Sequence, residues 1–177
     1  MRLGDHYLIT PEFFNPYEIK EDDLIPVRIA SGKSERAGVN KDYLFHSLAY
    51  QTREDVNAII FGTPTYATLL SSTNSLPRTD FFVDALTVLG TVRKSTYTHR
   101  GTDVLAARVM EELHGSSVVL LENYGAITIG KSILEAAYRM ELLEKVSKMT
   151  AYTSKLTIRP FNARQKLELG GGGGLID

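Results

Sequence analysis

Short apolar runs alternate along the chain with stretches in which apolar positions recur every three or four residues. The short runs end at Gly, Pro or Asn, which is typical of β-strands. They predict strands over residues 7–9, 24–30, 56–61, 117–121 and 126–129. The apolar content of 56–61 and 117–121 predicts that these two are interior strands of the sheet. The alternation of such strands with helical stretches predicts a single α/β domain.

Helices are predicted where a residue that favours the N-cap precedes a periodic apolar stretch. Asn40 precedes one such stretch, Gly101-Thr102-Asp103 opens a second, and Ser132 with Glu135 forms a capping box before a third. The tripeptide Asn123-Tyr124-Gly125 predicts a hairpin turn between the last two strands. One predicted helix begins near residue 41. The other three cover residues 65–71, 102–115 and 132–153.

The length of 177 residues suits one domain with a substantial core and is too short for two. We assign residues 1–160 to this domain and residues 161–177 to a C-terminal extension. The extension contains five consecutive glycines, 170–174, which we expect to be disordered.

The chain carries 20 basic and 21 acidic residues, which gives a formal net charge of −1. This balance provides no electrostatic footprint for nucleic acid or a membrane surface, so we expect neither as a partner. The absence of cysteine excludes disulfides and thiolate chemistry. The apolar runs are too short to span a bilayer, and the first residues lack the apolar stretch of a signal peptide. We therefore expect a cytoplasmic protein.

Three groups of motifs occur in a fixed order along the chain. They are LITP with EDDL (8–11 and 21–24), DVNAII with YAT (55–60 and 66–68), and LENYG with GKSILEA (121–125 and 130–136). Together they resemble the class II aldolase/adducin family, also called fuculose-phosphate aldolase-like. The resemblance implies a three-layer α/β/α sandwich with a central mixed, largely antiparallel sheet. Since the family usually has a helix and a strand before the first motif, we expect that N-terminal element to be missing.

The same resemblance shows where the chain departs from the family. Members hold one divalent metal, usually zinc, with two histidines of an H-x-H pair and the histidine of an N-H-G motif. Matching these motifs places Phe61, Thr63 and Tyr124 at the three ligand positions. A phenyl ring has no lone pair for a metal, a threonine hydroxyl is a poor ligand, and a tyrosine hydroxyl has an ordinary pKa of about 10. We therefore expect neither zinc nor another cofactor.

The resemblance also implies a set of catalytic candidates. The acid–base glutamate of the family falls at Asp42, and His46 lies one helical turn further on. A structural role is the simpler interpretation of His46, and an acid–base role beside Asp42 is the alternative. Tyr97 matches a family tyrosine near the active-site mouth, although aromatic packing explains it equally well. With Tyr124, these residues complete the catalytic candidates.

The phosphate-binding positions of the family are changed as well. Glu12 stands where small residues are expected, and its carboxylate would repel a phosphate, whereas Lys41 could still meet an anion. The candidate ligand-binding residues are Thr10, Lys41 and Asn123. The arginines Arg93 and Arg100 could bind an anion too, but scattered surface charge is the simpler interpretation.

Two kinds of function stay open. The first is a protein without metal-dependent aldolase activity that acts as a scaffold or a regulatory oligomer. The second is a metal-independent lyase, or a binding protein, for a small carbonyl or sugar-phosphate-like ligand that uses Asp42, His46 and Tyr124. The resemblance implies a homo-oligomer, a tetramer, with its pocket near a subunit interface. Because Phe61 and Tyr124 make that pocket more aromatic, we expect side chains to fill it.

Overall fold

The structure, a computed structural model, describes residues 1–34, 36–153 and 156–170. The strands are β1 (Arg2–Leu3), β2 (His6–Ile9), β3 (Ile25–Arg28), β4 (Ala58–Gly62), β5 (Arg93–Ser95), β6 (Val118–Leu121) and β7 (Gly125–Gly130). The α-helices are α1 (Tyr43–Thr52), α2 (Thr65–Ser71), α3 (Asp103–Leu113), α4 (Ile133–Thr153) and α5 (Ala163–Gly170). Glycines 171–174 of the predicted disordered tail lie outside the described residues.

The central sheet has four strands in the order β4-β7-β6-β5. Strand β7 pairs antiparallel with β4 and β6, whereas β5 runs parallel to β6. The sheet is therefore mixed and largely antiparallel, as the sequence predicts.

Both faces of this sheet are covered by helices. Along β6, Val119 and Leu121 point into a core shared with α1 and α3, and Val118 and Leu120 point into a second core shared with α2 and α4. All four side chains are buried, which explains why β6 is apolar throughout instead of alternating. This arrangement confirms the predicted three-layer α/β/α sandwich.

A smaller antiparallel sheet, β1-β2-β3, packs on the α1 side of the first core. Its anchor is Tyr7, which is fully buried and shares a hydrogen bond of 2.7 Å with Ser47 on α1. The backbone N–H of Arg2 donates to the carbonyl oxygen of Asn57 at 2.8 Å, just before β4. These contacts fix the loop that follows β2, and this loop forms one wall of the site described below.

The capping predictions hold in most of their detail. The side chain of Thr102 accepts a hydrogen bond from the backbone of Leu105, and Ser132 accepts one from the backbone of Glu135. The carboxylate of Glu135 accepts a hydrogen bond from the N–H of Lys131, whereas a regular capping box would use the N–H of Ser132. The predicted cap at Asn40 differs: the N-cap of α1 is Asp42, and the side chain of Asn40 accepts a hydrogen bond from the backbone N–H of Asp42 before the helix begins.

Three features of the central sheet and its helices differ from the sequence prediction. Strand β4 was predicted to be an interior strand, but it lies at the edge of the four-stranded sheet. Ala58 and Ile59 are buried, and Ile60 and Phe61 are partly buried. An apolar strand thus indicates that its faces are covered, not that it has a paired neighbour on each side. Strand β5 and helix α5 were not predicted, since neither carries an apolar pattern. Among the described residues, no helix is long and apolar enough to cross a membrane.

Candidate functional site

Asp42 lies at the start of α1 with its carboxylate almost completely buried, at 2% exposed. The guanidinium of Arg100 binds it with two parallel hydrogen bonds of 3.1 Å, from Nε to Oδ1 and from Nη2 to Oδ2. The hydroxyl of Tyr124 donates to the same carboxylate, at 2.8 Å from Oδ1 and 3.0 Å from Oδ2. Bidentate arginine–carboxylate pairs of this kind are among the strongest hydrogen-bonded contacts in proteins.

Arg100 joins Asp42 to a second carboxylate. Its Nη1 lies 3.0 Å from Oε1 of Glu12, and its Nη2 donates to Oδ1 of Asn40 at 3.0 Å. The hydrogen bonds to Asp42 and the two nearby carboxylates raise the pKa of the Arg100 side chain, so its positive charge is permanent. We call Glu12, Asp42 and Arg100 the carboxylate–arginine cluster. With two negative charges and one positive charge, the cluster carries a net charge of −1.

The cluster corrects the interpretation of Arg100 as scattered surface charge. Arg100 belongs to the most connected polar group near the predicted site, and Glu12, expected only to repel phosphate, is one of its partners. Arg93 lies elsewhere, 3.6 Å from Glu112.

Tyr124 is half-buried between this cluster and the ring of Phe61, whose centroid lies 4.7 Å from its own. Burial and the hydrogen bond to Asp42 raise the pKa of the Tyr124 hydroxyl well above its ordinary value. The hydroxyl therefore keeps its proton and acts as a hydrogen-bond donor. The guanidinium of Arg100 lies 5.9 Å from the centre of the same ring, which adds a cation–π contact.

The three positions matched to metal ligands lie close together in space. A β-carbon built on Gly125 would come within 3.2 Å of side-chain atoms of both Phe61 and Thr63, and Tyr124 precedes that glycine. The motif matching is thus geometrically consistent, but the donor set does not fit zinc. Phe61 offers no lone pair, and Tyr124 is a protonated donor to Asp42. Among the described residues, no three His, Cys, Asp or Glu side chains are grouped closely enough to hold a metal ion.

His46 is buried one turn along α1, with its ring stacked on Phe45 at 4.6 Å between centroids. Only its backbone contacts Asp42, and no hydrogen bond to its ring is found within the described part of the chain. Burial, with a smaller effect from the amino group of Met1, lowers the pKa of His46 from 6.5 to about 3. The imidazole is therefore neutral near pH 7, and its ring lacks the hydrogen bond to Asp42 on which the alternative acid–base interpretation depends.

A pocket of about 790 Å³ opens beside these residues. Asp42, His46 and Arg100 line it together with Thr10, which was predicted to bind a ligand, and with Phe61. The single chain leaves this pocket open, whereas the expectation that side chains fill it concerns the homo-oligomer and stays a prediction. Its volume lies in the range of small-molecule sites.

A sequence profile of the family described as Class II Aldolase and Adducin N-terminal domain matches residues 1–151. This chain belongs to that family. It is 27% identical over 157 residues to L-fuculose phosphate aldolase of Methanococcus maripaludis, which covers 88% of this chain and 84% of that protein. It is also 28% identical over 134 residues to 3-oxo-tetronate 4-phosphate decarboxylase of Escherichia coli, covering 73% of this chain and 63% of that protein.

A solved structure of L-fuculose 1-phosphate aldolase superposes on this chain with a TM-score of 0.84 at 25% identity. The superposition covers 94% of this chain and 79% of that structure. The fold is therefore that of the class II aldolases.

Four of the predicted site residues do not line the pocket. Tyr124 is next to it through its hydrogen bond to Asp42, and the other three are Tyr97, Lys41 and Asn123. Tyr97 is 63% exposed, and Lys41 is exposed with its stem next to Gly101. Asn123 occupies the left-handed conformation, with φ 56°, in the exposed turn between β6 and β7. A short polar side chain tolerates this conformation, so the turn itself accounts for Asn123.

Proposed function

We propose that this family member does not carry out metal-dependent aldol cleavage and instead binds a small molecule as a homo-oligomeric, non-catalytic protein. The observation that carries the proposal is the engagement of Asp42. Its carboxylate accepts two hydrogen bonds from Arg100 and one from the hydroxyl of Tyr124.

A carboxylate in this setting is a poor general base. To remove a proton it would have to give up charge-assisted hydrogen bonds, and at 2% exposed it has little contact with solvent that could replace them. A metal would ordinarily acidify the substrate proton, a contribution of several kcal/mol. Phe61, Thr63 and Tyr124 do not supply ligands for such a metal.

A second candidate function is a metal-independent lyase acting on a small carbonyl or sugar-phosphate-like ligand. The observation that favours it is the open pocket, which Asp42 and His46 both line. To donate to a carbonyl oxygen, the hydroxyl of Tyr124 would have to give up its hydrogen bond to Asp42. Against this candidate, Asp42 is engaged and His46 is held apart from it, so neither is positioned as a free base.

The oligomeric part of the proposal, a tetramer, is supported by exposed aromatic side chains. Phe13 is 91% exposed and Tyr17 is 95% exposed, both in the loop after β2. Aromatic residues are enriched at subunit interfaces. A cytoplasmic location remains part of the proposal, and cell fractionation would test it.

The test of function is an assay with L-fuculose 1-phosphate, with and without added zinc, followed by NMR of the substrate. We expect no loss of substrate under either condition, while the aldolase of Methanococcus maripaludis, assayed in parallel, consumes it. Zinc-dependent cleavage that disappears in Asp42→Asn would refute the proposal. Metal-free cleavage that disappears in His46→Leu would establish the second candidate in its place.

A further inference from the structure

We infer that the pocket beside the carboxylate–arginine cluster binds an uncharged, mainly apolar small molecule with one hydroxyl or carbonyl group, and that it discriminates against phosphorylated ligands. This inference rests on the proposed binding function and adds the chemical class of the ligand. It follows from the pocket walls, from His46 and from the charge of the cluster.

The pocket walls are mostly apolar. Strands β2 and β4 and the loop before β3 contribute Leu8, Ile9, Leu24, Ile59, Ile60 and Phe61. A ligand that fills this space must cover hydrocarbon surface, and burial of apolar area is then the main source of affinity. A sugar phosphate, which is polar on every side, would leave these walls without suitable contacts.

His46 supplies a polar group that lacks a partner. Its side chain is 9% exposed and faces the pocket, and the described part of the chain offers its ring no hydrogen bond. A neutral imidazole presents one N–H donor and one nitrogen acceptor. The ring nitrogens of His46 are not closed off from the pocket, so a ligand hydroxyl or carbonyl that reaches them replaces solvent as their hydrogen-bond partner and is held in a fixed orientation.

The remaining polar wall is negative overall. The hydrogen bonds of Arg100 are directed to Asp42, Glu12 and Asn40, so its charge is already neutralised by the protein. The two carboxylates leave a net charge of −1, which would repel a phosphate dianion. Met1 also lines the pocket, and its amino group donates to the carbonyl oxygen of Leu8. Burial lowers the pKa of that amino group to about 6, so it is largely neutral at pH 7.5.

A matched pair of probes tests this class of ligand. 2-Naphthol and 2-naphthyl phosphate share the same apolar body and differ in the phosphate, and isothermal titration calorimetry of the full chain at pH 7.5 measures both. We expect 2-naphthol to bind at one site per chain and 2-naphthyl phosphate to bind roughly tenfold or more weakly. Equal or tighter binding of the phosphate, or no binding of 2-naphthol, would overturn the inference.

Two variants assign the effect to residues. His46→Leu keeps the volume but removes the hydrogen bond, so 2-naphthol should bind about three- to tenfold more weakly. His99→Leu, at an exposed histidine, should bind it like the wild type. Glu12→Gln removes one negative charge without altering the apolar walls. We expect this variant to reduce the ratio between the affinities for 2-naphthol and 2-naphthyl phosphate. An unchanged affinity ratio in Glu12→Gln would contradict the role of Glu12 in repelling phosphate. An unchanged affinity for 2-naphthol in His46→Leu would contradict the role of His46 as its hydrogen-bond partner.

The titration involves no turnover, so its outcome is independent of the cleavage assay. If 2-naphthol does not bind, or does not bind more tightly than 2-naphthyl phosphate, while L-fuculose 1-phosphate remains intact, then the inferred ligand class is wrong. The proposed loss of aldolase activity is not affected by that result. If cleavage is observed, the proposed function is wrong whatever the probes do. Since Glu12→Gln leaves His46 in place, the test still decides the question if His46→Leu does not fold.

Discussion

The hydroxyl of Tyr124 donates a hydrogen bond of 2.8 Å to Oδ1 of Asp42. Motif matching places Tyr124 at a metal-ligand position and Asp42 at the acid–base position of the family. The two positions are therefore joined here by a direct hydrogen bond between protein side chains. Arg100 completes the contact by supplying the positive charge next to the carboxylate. The pair thus has the properties of a structural element.

Tyr124→Phe tests the contribution of this hydrogen bond to stability. The ring can keep its packing against Phe61, but the carboxylate of Asp42 loses one donor. We expect the free energy of unfolding to fall by about 1–2 kcal/mol, measured by urea denaturation. The control is Tyr97→Phe, at a tyrosine that is 63% exposed, which should change stability by less than about 0.5 kcal/mol. Equal effects in the two variants would argue against the structural role.

Arg100→Met should be more damaging, because it leaves the buried Asp42 without its counter-charge. We expect a loss of about 2–4 kcal/mol in the free energy of unfolding. Asp42→Asn in the same chain should restore part of this loss, since it removes the charge that became unpaired. Arg164→Met, which breaks the exposed pair with Glu168, is the matched control and should have little effect. A double variant no more stable than Arg100→Met would show that the pairing is not responsible.

The parts of the molecule that could be predicted from sequence are those determined by neighbouring residues. The Thr102 cap and the turn at Asn123 depend only on residues that are a few positions away in the sequence. The role of Arg100 could not be predicted, because its partners Asp42 and Glu12 lie 58 and 88 residues away in sequence. The sequence signal that could have found it is Glu12 itself, since a carboxylate at a position matched to a small residue near a pocket needs a nearby cation.

His46 should make stability depend on pH. Its pKa is about 3 in the folded chain and near 6.5 when exposed, so between these values the unfolded chain binds the extra proton. Stability is therefore lost as pH falls below about 6.5, by about 2 kcal/mol between pH 7 and pH 5 from this group. His46→Leu should remove that part of the loss, as measured by urea denaturation at both pH values. His99→Leu should lose as much stability between pH 7 and pH 5 as the wild type does. If His46→Leu also loses as much as the wild type, the pKa of His46 is not lowered by folding.

Restoring histidine at the three matched positions should create a zinc site. Phe61, Thr63 and Tyr124 lie around Gly125, so the combined variant Phe61→His, Thr63→His and Tyr124→His brings three imidazoles together. We expect elemental analysis to find about one zinc per chain in this variant and no stoichiometric zinc in the wild type. Tyr124→His alone is the control and should not retain the metal. If the triple variant folds and binds no zinc, the motif matching is wrong, and zinc in the wild type would refute the loss of the site.

The last prediction concerns assembly. Phe13 and Tyr17 are more than nine-tenths exposed in one short loop, and Phe14 from the same loop lines the pocket. Aromatic side chains left in water are unfavourable, and a second copy of the chain could cover them. For the proposed tetramer, light scattering should give a mass near four times the 19.7 kDa of one chain. Phe13→Ser with Tyr17→Ser should shift the protein to smaller species, whereas Leu167→Ser, at a leucine 76% exposed on α5, should leave the mass unchanged. A wild-type mass of a single chain at micromolar concentration would exclude the tetramer, and an unchanged mass in the double variant would exclude this loop as the contact.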